Sequence, residues 1–154
     1  MAKDTRSPQE ILDHVIAARV ALTSAIYGLS QEQLTIAGVV GHWTVKDLLA
    51  HVGKWEEVCL DELQKHLRGE EPGGNYRDAL PHNDRWEAEL QALSLAESLA
   101  SFETSHERLL LFLGALREDQ WNGYVRAWIN GSTWHHFEAH AAEVRAWREQ
   151  LAAR

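Results

Sequence analysis

Thr44-Val45-Lys46-Asp47-Leu48-Leu49-Ala50-His51-Val52-Gly53-Lys54-Trp55 is the stretch that decides the fold class. Thr44-Val45-Lys46-Asp47 has the composition of a capped helix start, and an acidic residue in the first turn also suits the positive end of the helix dipole. Val45, Leu48, Val52 and Trp55 then recur every three or four residues, and Cys59 and Leu63 prolong the stripe. That spacing belongs to one face of an α-helix, and the reading predicts a helix ending near Arg68-Gly69.

The same pattern extends in both directions. Upstream, Ser7-Pro8-Gln9-Glu10 combines a cap, a proline suited to the first helical position and a capping-box glutamate. Ile11, Leu12, Val15, Ile16, Leu22, Ile26 and Leu29 follow at helical spacing, predicting a helix over 8–29, with a loop through Ser30 to Trp43. Downstream, Glu70 to Pro81 is dense in breakers (Pro72, Gly73, Gly74, Asn75, Pro81) and reads as a linker. Asn83 or Asp84 can cap a short helix after it, and Ser94-Leu95-Ala96-Glu97 is a further capping box. A long helix lined by Leu95, Leu99, Phe102, Leu109, Phe112, Leu113 and Leu116 follows from that box. Residues 118–131 read as a loop, and Ser132 or Thr133 as the cap of a last helix striped by Phe137, Ala141, Val144, Trp147 and Leu151. No segment alternates with period two. Four long helices of similar length, one apolar stripe each, predict an all-α four-helix bundle forming a single domain over 1–154.

Composition narrows the function classes. A chain of 154 residues with 45% hydrophobic content suits one core. A formal net charge of −8, with no local block of lysine or arginine, opposes binding to nucleic acid or to an anionic membrane surface. No apolar run approaches the roughly 20 residues of a membrane span. The single cysteine, Cys59, excludes an intrachain disulfide and a Cys-rich zinc motif. The opening residues Met1 to Pro8 have no apolar run of the kind found in signal peptides, so the expected location is cytoplasmic.

Nine histidines are the chemically notable feature. His136 and His140 are four apart on the last helix and project from one face, a turn from each other. His135 points about 100° away from His136. The protease motif with glutamate directly after the first histidine is absent, because Phe137 stands there. His51 lies beside the stripe of its helix, a turn from Leu48 and a turn from Trp55. Three histidines on two helices could converge on one metal and leave a position open for water or substrate, as catalytic sites do. The alternative is hydrogen-bonded histidines at the edge of a core. His14 and His66 read as solvated, and His106 as a hydrogen-bonded histidine at the core edge.

Two motifs resemble the DinB-like superfamily of metalloenzymes. They are Trp43 to His51 with Trp55-Glu56 after it, and Thr133 to His140 with Val144-Arg145-Ala146-Trp147 after it. Leu29 to Leu34, at the end of the first helix, fits the same order. The resemblance implies an up-down-down-up bundle, a homodimer, and a nickel or zinc ion on His51, His136 and His140. Related branches are thiol-dependent, such as mycothiol-dependent maleylpyruvate isomerase, or belong to the ClbS/DfsB group, which includes a hydrolase of a genotoxin. With the last helix running close to Arg154, the extra C-terminal domain of the maleylpyruvate isomerase branch is not expected here. What the resemblance implies is a metal-dependent enzyme on a small molecule, with a low-molecular-weight thiol as a candidate co-substrate. A metabolite-sequestering, ClbS-like protective protein is the alternative.

Other residues carry two readings. Trp128 and Trp134 either line the mouth of a pocket above the metal or pack, while Trp43, Trp55 and Trp147 read as packing. Glu143, three after His140, either orients a ligand histidine or stands as a surface charge beside an arginine, and the surface reading is preferred. Asp47 reads as a helix-start residue and Cys59 as a packed thiol.

Overall fold

The computed structural model describes residues 3–154; Met1 and Ala2, part of the opening stretch read for a leader, lie outside them. Among the described residues the chain is helical, with no strand and one isolated bridge between Val40 and Trp43. Six α-helices occur: α1 (Pro8–Ile26), α2 (Val45–Leu67), α3 (Leu80–Gln91), α4 (Leu95–Gly114), α5 (Gly123–Ser132) and α6 (Trp134–Ala152). No helix is long and apolar enough to cross a membrane. Two compact units result, one from the chain up to Val45 with Leu116–Arg154, the other from Lys46–Ala115.

In the first unit α1 packs on α6. Ser7 caps α1 by accepting the Glu10 N–H at 3.1 Å, and the Glu10 carboxylate accepts the Ser7 N–H at 2.6 Å. Ile11, Val15, Ala18, Leu22 and Ala25 make its buried stripe. Ile16 and Val20, though apolar, are 51% and 59% exposed, so the buried stripe is narrower than the apolar pattern suggested. The helix stops at Ile26 rather than Leu29. There Arg148 of α6 donates to the carbonyls of Ala25 and Tyr27 at 2.8 and 2.7 Å, satisfying oxygens the helix end leaves open. Before α1, Asp4 accepts hydrogen bonds from Arg6 and from Asn130 of α5, and Arg126 of α5 donates to the Arg6 carbonyl. In the loop before α2, Gly38 and Val39 both donate to the Trp43 carbonyl, and Gly38 and Gly41 take the positive φ that this tight return needs.

The segment expected to be a loop over 118–131 is largely helical. Asn122 caps α5 by accepting the Val125 N–H at 3.0 Å, and Val125, Ile129 and Ser132 are buried on it. α5 and α6 are separated by the single residue Thr133, whose backbone leaves helical geometry (φ −119°, ψ −97°). Its hydroxyl donates back to the Ile129 carbonyl instead of capping α6, which corrects the expected cap role.

In the second unit, α2 buries Leu48, Leu49, Val52, Trp55, Cys59, Leu60 and Leu63, and α4 buries Phe102, Leu109 and Leu113. α4 carries the capping box read from the sequence, with Ser94 accepting the Glu97 N–H at 3.1 Å. α3 starts at Leu80, earlier than expected. Pro81 sits in its first turn, where no N–H is required, and Asp78 accepts the Leu80 N–H. Lys46 ties the start of α2 to the α3–α4 turn by donating to the carbonyls of Gln91 and Leu93, and also lies 3.1 Å from Asp47. The linker is anchored at Gly73, whose N–H is shared by both oxygens of the buried Glu62 at 2.9 and 3.0 Å. Trp55 packs edge-on against Tyr76, His82 and Trp86 and donates its indole N–H to Asn83. Arg85 donates to His82 Nδ1, so the His82 proton is on Nε2, donating to the Asn75 carbonyl at 2.6 Å.

α2 and α4 approach closely at Gly53. A Cβ there would lie 2.6 Å from Ser101 Oγ and 3.1 and 3.2 Å from the Ser101 backbone C and O. Glycine to alanine inside a helix ordinarily gains about 1 kcal/mol. Gly53→Ala is instead expected to lose about 1–3 kcal/mol by overpacking, read as a lower urea midpoint at unchanged slope. Asp4 gives a pH-dependent test. The hydrogen bonds from Arg6, then from Asn130, hold its carboxyl well below its ordinary 3.8. A carboxylate depressed in the folded state stabilises above its unfolded pKa, and that contribution is lost as pH falls through the folded value. The stability gap between wild type and Asp4→Asn should therefore be full at neutral pH and close progressively below about pH 4 in acid-series melts.

Candidate metal centre

On α6 the four-residue spacing does what a 3.6-residue pitch requires. The rings of His136 and His140 are 4.4 Å apart between centroids and inclined at 63°, with their Nε2 atoms 2.8 Å apart. His140 is buried and His136 half-buried. His140 Nδ1 donates to Glu143 Oε2 at 3.0 Å. Burial pushes the pKa of His140 down, and the Glu143 carboxylate partly opposes this. The neutral ring, which has a lone pair to donate, is therefore favoured.

His51 is buried in α2, as are Leu48 and Trp55 a turn to either side. His51, His136 and His140 could hold a metal ion: each offers one ring nitrogen, and the three atoms lie within 4.8 Å of one another. An all-imidazole donor set suits zinc, nickel, copper or iron and is ill-suited to calcium or magnesium, which prefer oxygen.

The remaining candidates separate clearly. His135 is exposed and stacks on Trp134 at 3.6 Å. Trp134 is buried and packed: His14 stacks on it at 4.9 Å, the Arg6 guanidinium lies 4.8 Å from its ring, and its indole N–H donates to Asn130. These contacts support the packing reading of Trp134. Trp128 is half-buried on α5. Trp55 and Trp147 are buried, and Trp43 is half-buried. Cys59 is fully buried, as expected of a packed thiol. Glu143 is partly exposed, and the partner its carboxylate meets is His140.

One polar pair escaped the sequence reading. His106, expected as a hydrogen-bonded core-edge histidine, donates from Nδ1 to Glu56 Oε2 at 2.8 Å, and Glu56 is wholly buried. The available signal was Glu56 directly after Trp55 on the edge of the apolar stripe.

The profile of the DinB superfamily matches residues 14–147. No curated protein matches the chain. Three solved structures share the fold at low identity. One, titled sibling lethal factor precursor DfsB, is 17% identical with TM-score 0.80, covering 96% of this chain and 98% of that one. A second, titled colibactin self-resistance protein ClbS in complex with a dsDNA, is 13% identical with TM-score 0.79, covering 96% and 98%. The third, an uncharacterised protein from Escherichia coli UTI89, is 14% identical with TM-score 0.80, covering 95% of each chain. With a profile match over most of its length, the chain belongs to the DinB superfamily.

Proposed function

We propose that the protein is a metal-dependent enzyme acting on a small molecule, built as a single-domain four-helix bundle of up-down-down-up order. His51, His136 and His140 hold one divalent ion, nickel or zinc. The observation that carries this reading is the pair of Nε2 atoms 2.8 Å apart on α6, with the His51 ring nitrogen as third donor. Two imidazoles with their Nε2 atoms turned toward each other, one of them buried and favoured neutral, support that reading. A metal bound there would polarise a substrate carbonyl and lower the pKa of a coordinated water or thiol. The chain's own part is to hold the imidazoles in register and keep His140 neutral. A low-molecular-weight thiol is the co-substrate class that suits this chemistry, and a homodimer is the proposed assembly.

A second reading is favoured by likeness to a chain titled a self-resistance protein. In it the bundle binds a metabolite without turning it over. Thiol-transfer assays with and without added metal separate the two: metal-dependent turnover supports the enzyme, and ligand affinity that survives metal removal supports the binder. That neighbour was solved in complex with a dsDNA. With a net charge of −8 here, we expect no salt-dependent retention of duplex DNA in a mobility-shift series.

Metal content decides the leading reading. Protein purified without a histidine tag should carry about one nickel or zinc per chain by elemental analysis, the single-ion stoichiometry of a three-histidine site. His51→Ala, His136→Ala and His140→Ala should each lower the content severely. Absence of any first-row metal, or unchanged binding in His51→Ala, would falsify it.

A further inference from the structure

We propose that Glu143 is the positioning residue of the α6 histidine pair: its carboxylate keeps the His140 proton on Nδ1 and thereby presents the Nε2 lone pair to a divalent cation. The proposal rests on the metal reading above and assigns it a residue that is not itself a ligand.

His136, His140 and Glu143 fall at positions i, i+4 and i+7 of α6, so they share one face. His140 lies between two partners at opposite edges of its ring, Glu143 Oε2 at 3.0 Å from Nδ1 and His136 Nε2 at 2.8 Å from Nε2. An ionised carboxylate can only accept, so the proton between Glu143 and His140 sits on Nδ1. A neutral imidazole carries one N–H, which leaves Nε2 as a bare acceptor. In the metal-free chain that lone pair accepts from His136 Nε2–H, and a cation would compete for it. Two hydrogen bonds on opposite edges also fix the ring's rotation, which burial alone does not.

Loss of the carboxylate frees the proton to move to Nε2, where it would block the donor edge. The Glu143 side chain is 41% exposed, against 10% for His140. It can therefore be replaced without opening a cavity, and its variants should fold. Glutamine keeps a carbonyl oxygen able to accept from Nδ1–H, whereas alanine keeps nothing.

The test uses the full chain with ¹⁵N-labelled histidine, and His140→Ala assigns the resonances. Long-range ¹H–¹⁵N correlation on the metal-free protein should show the Nδ1–H tautomer of His140 in wild type and in Glu143→Gln, with conversion toward Nε2–H in Glu143→Ala. In a competition titration of zinc against a chromophoric chelator, Glu143→Ala should bind about 10–100-fold more weakly than wild type, and Glu143→Gln should recover much of the loss. Such a rescue would not arise from a merely structural role. An Nε2–H tautomer in wild type, an unchanged tautomer in Glu143→Ala, or equal zinc affinity across the three proteins overturns the proposal while leaving the metal reading standing. No zinc uptake by wild type, with the Nδ1–H tautomer intact, instead sinks the metal reading and the cation-presenting role that depends on it.

Discussion

One helix must carry both a core stripe and a row of imidazoles, and much of the arrangement follows from that constraint on α6. Phe137, Ala141, Val144 and Trp147 are buried along it, while His136, His140 and Glu143 occupy the adjoining strip. The helical pitch sets the two rows side by side, so His140 is drawn into burial by its apolar neighbours. A buried imidazole is costly to protonate and costly to leave without hydrogen bonds, and the chain answers both demands with Glu143 on one edge and His136 on the other. Burial of His140 is tolerable because both of its ring nitrogens have partners.

The same logic governs the buried carboxylates of the other unit. Glu56 has no exposed surface and faces the Nδ1–H of His106. Glu62 is 1% exposed and accepts the Gly73 N–H on both oxygens, with Lys65 3.4 Å from one of them. In each case an acidic residue on the stripe edge of α2 is retained in the interior because a donor reaches it. Burying an ionised group without such a partner would cost several kcal/mol, roughly the size of a domain's net stability.

What could be read from the sequence was whatever is local. The capping boxes at Ser7 and Ser94 span four residues each and appear as expected, and the facing pair His136–His140 followed from spacing alone. α5 was not legible: Gly123 and Gly131 stand near its two ends, its apolar run of Tyr124, Val125, Trp128 and Ile129 is short, and its cap is Asn122. Pro81 looked like a breaker because its allowed place in a first turn depends on where the helix begins, one residue earlier at Leu80. The exposure of Ile16 and Val20 is a property of what covers α1, which periodicity cannot report. Glu143 was ambiguous because its choice of partner is made by a side-chain rotamer. His51 was a candidate only as a histidine beside a stripe until the family motif around it singled out that position.

The anchoring of Gly73 on Glu62 has a consequence for the chain as a polymer. The connection from Leu67 to Leu80 is not one free loop but two shorter ones meeting at a pinned point. Closure entropy rises only slowly with loop length, so each half can lengthen at little cost while the pin holds. Added residues on either side of Gly73 would bulge outward where they are inserted, leaving the spacing of α2 and α3 to be set by Glu62 and by the Trp55–Asn83 hydrogen bond. Room for sequence drift in this connection thus lies on both sides of one amide; a Cβ at Gly73 itself would fall 2.6 Å from the Glu62 carboxylate and the Lys65 ammonium, so both side-chain ends would have to shift to admit it.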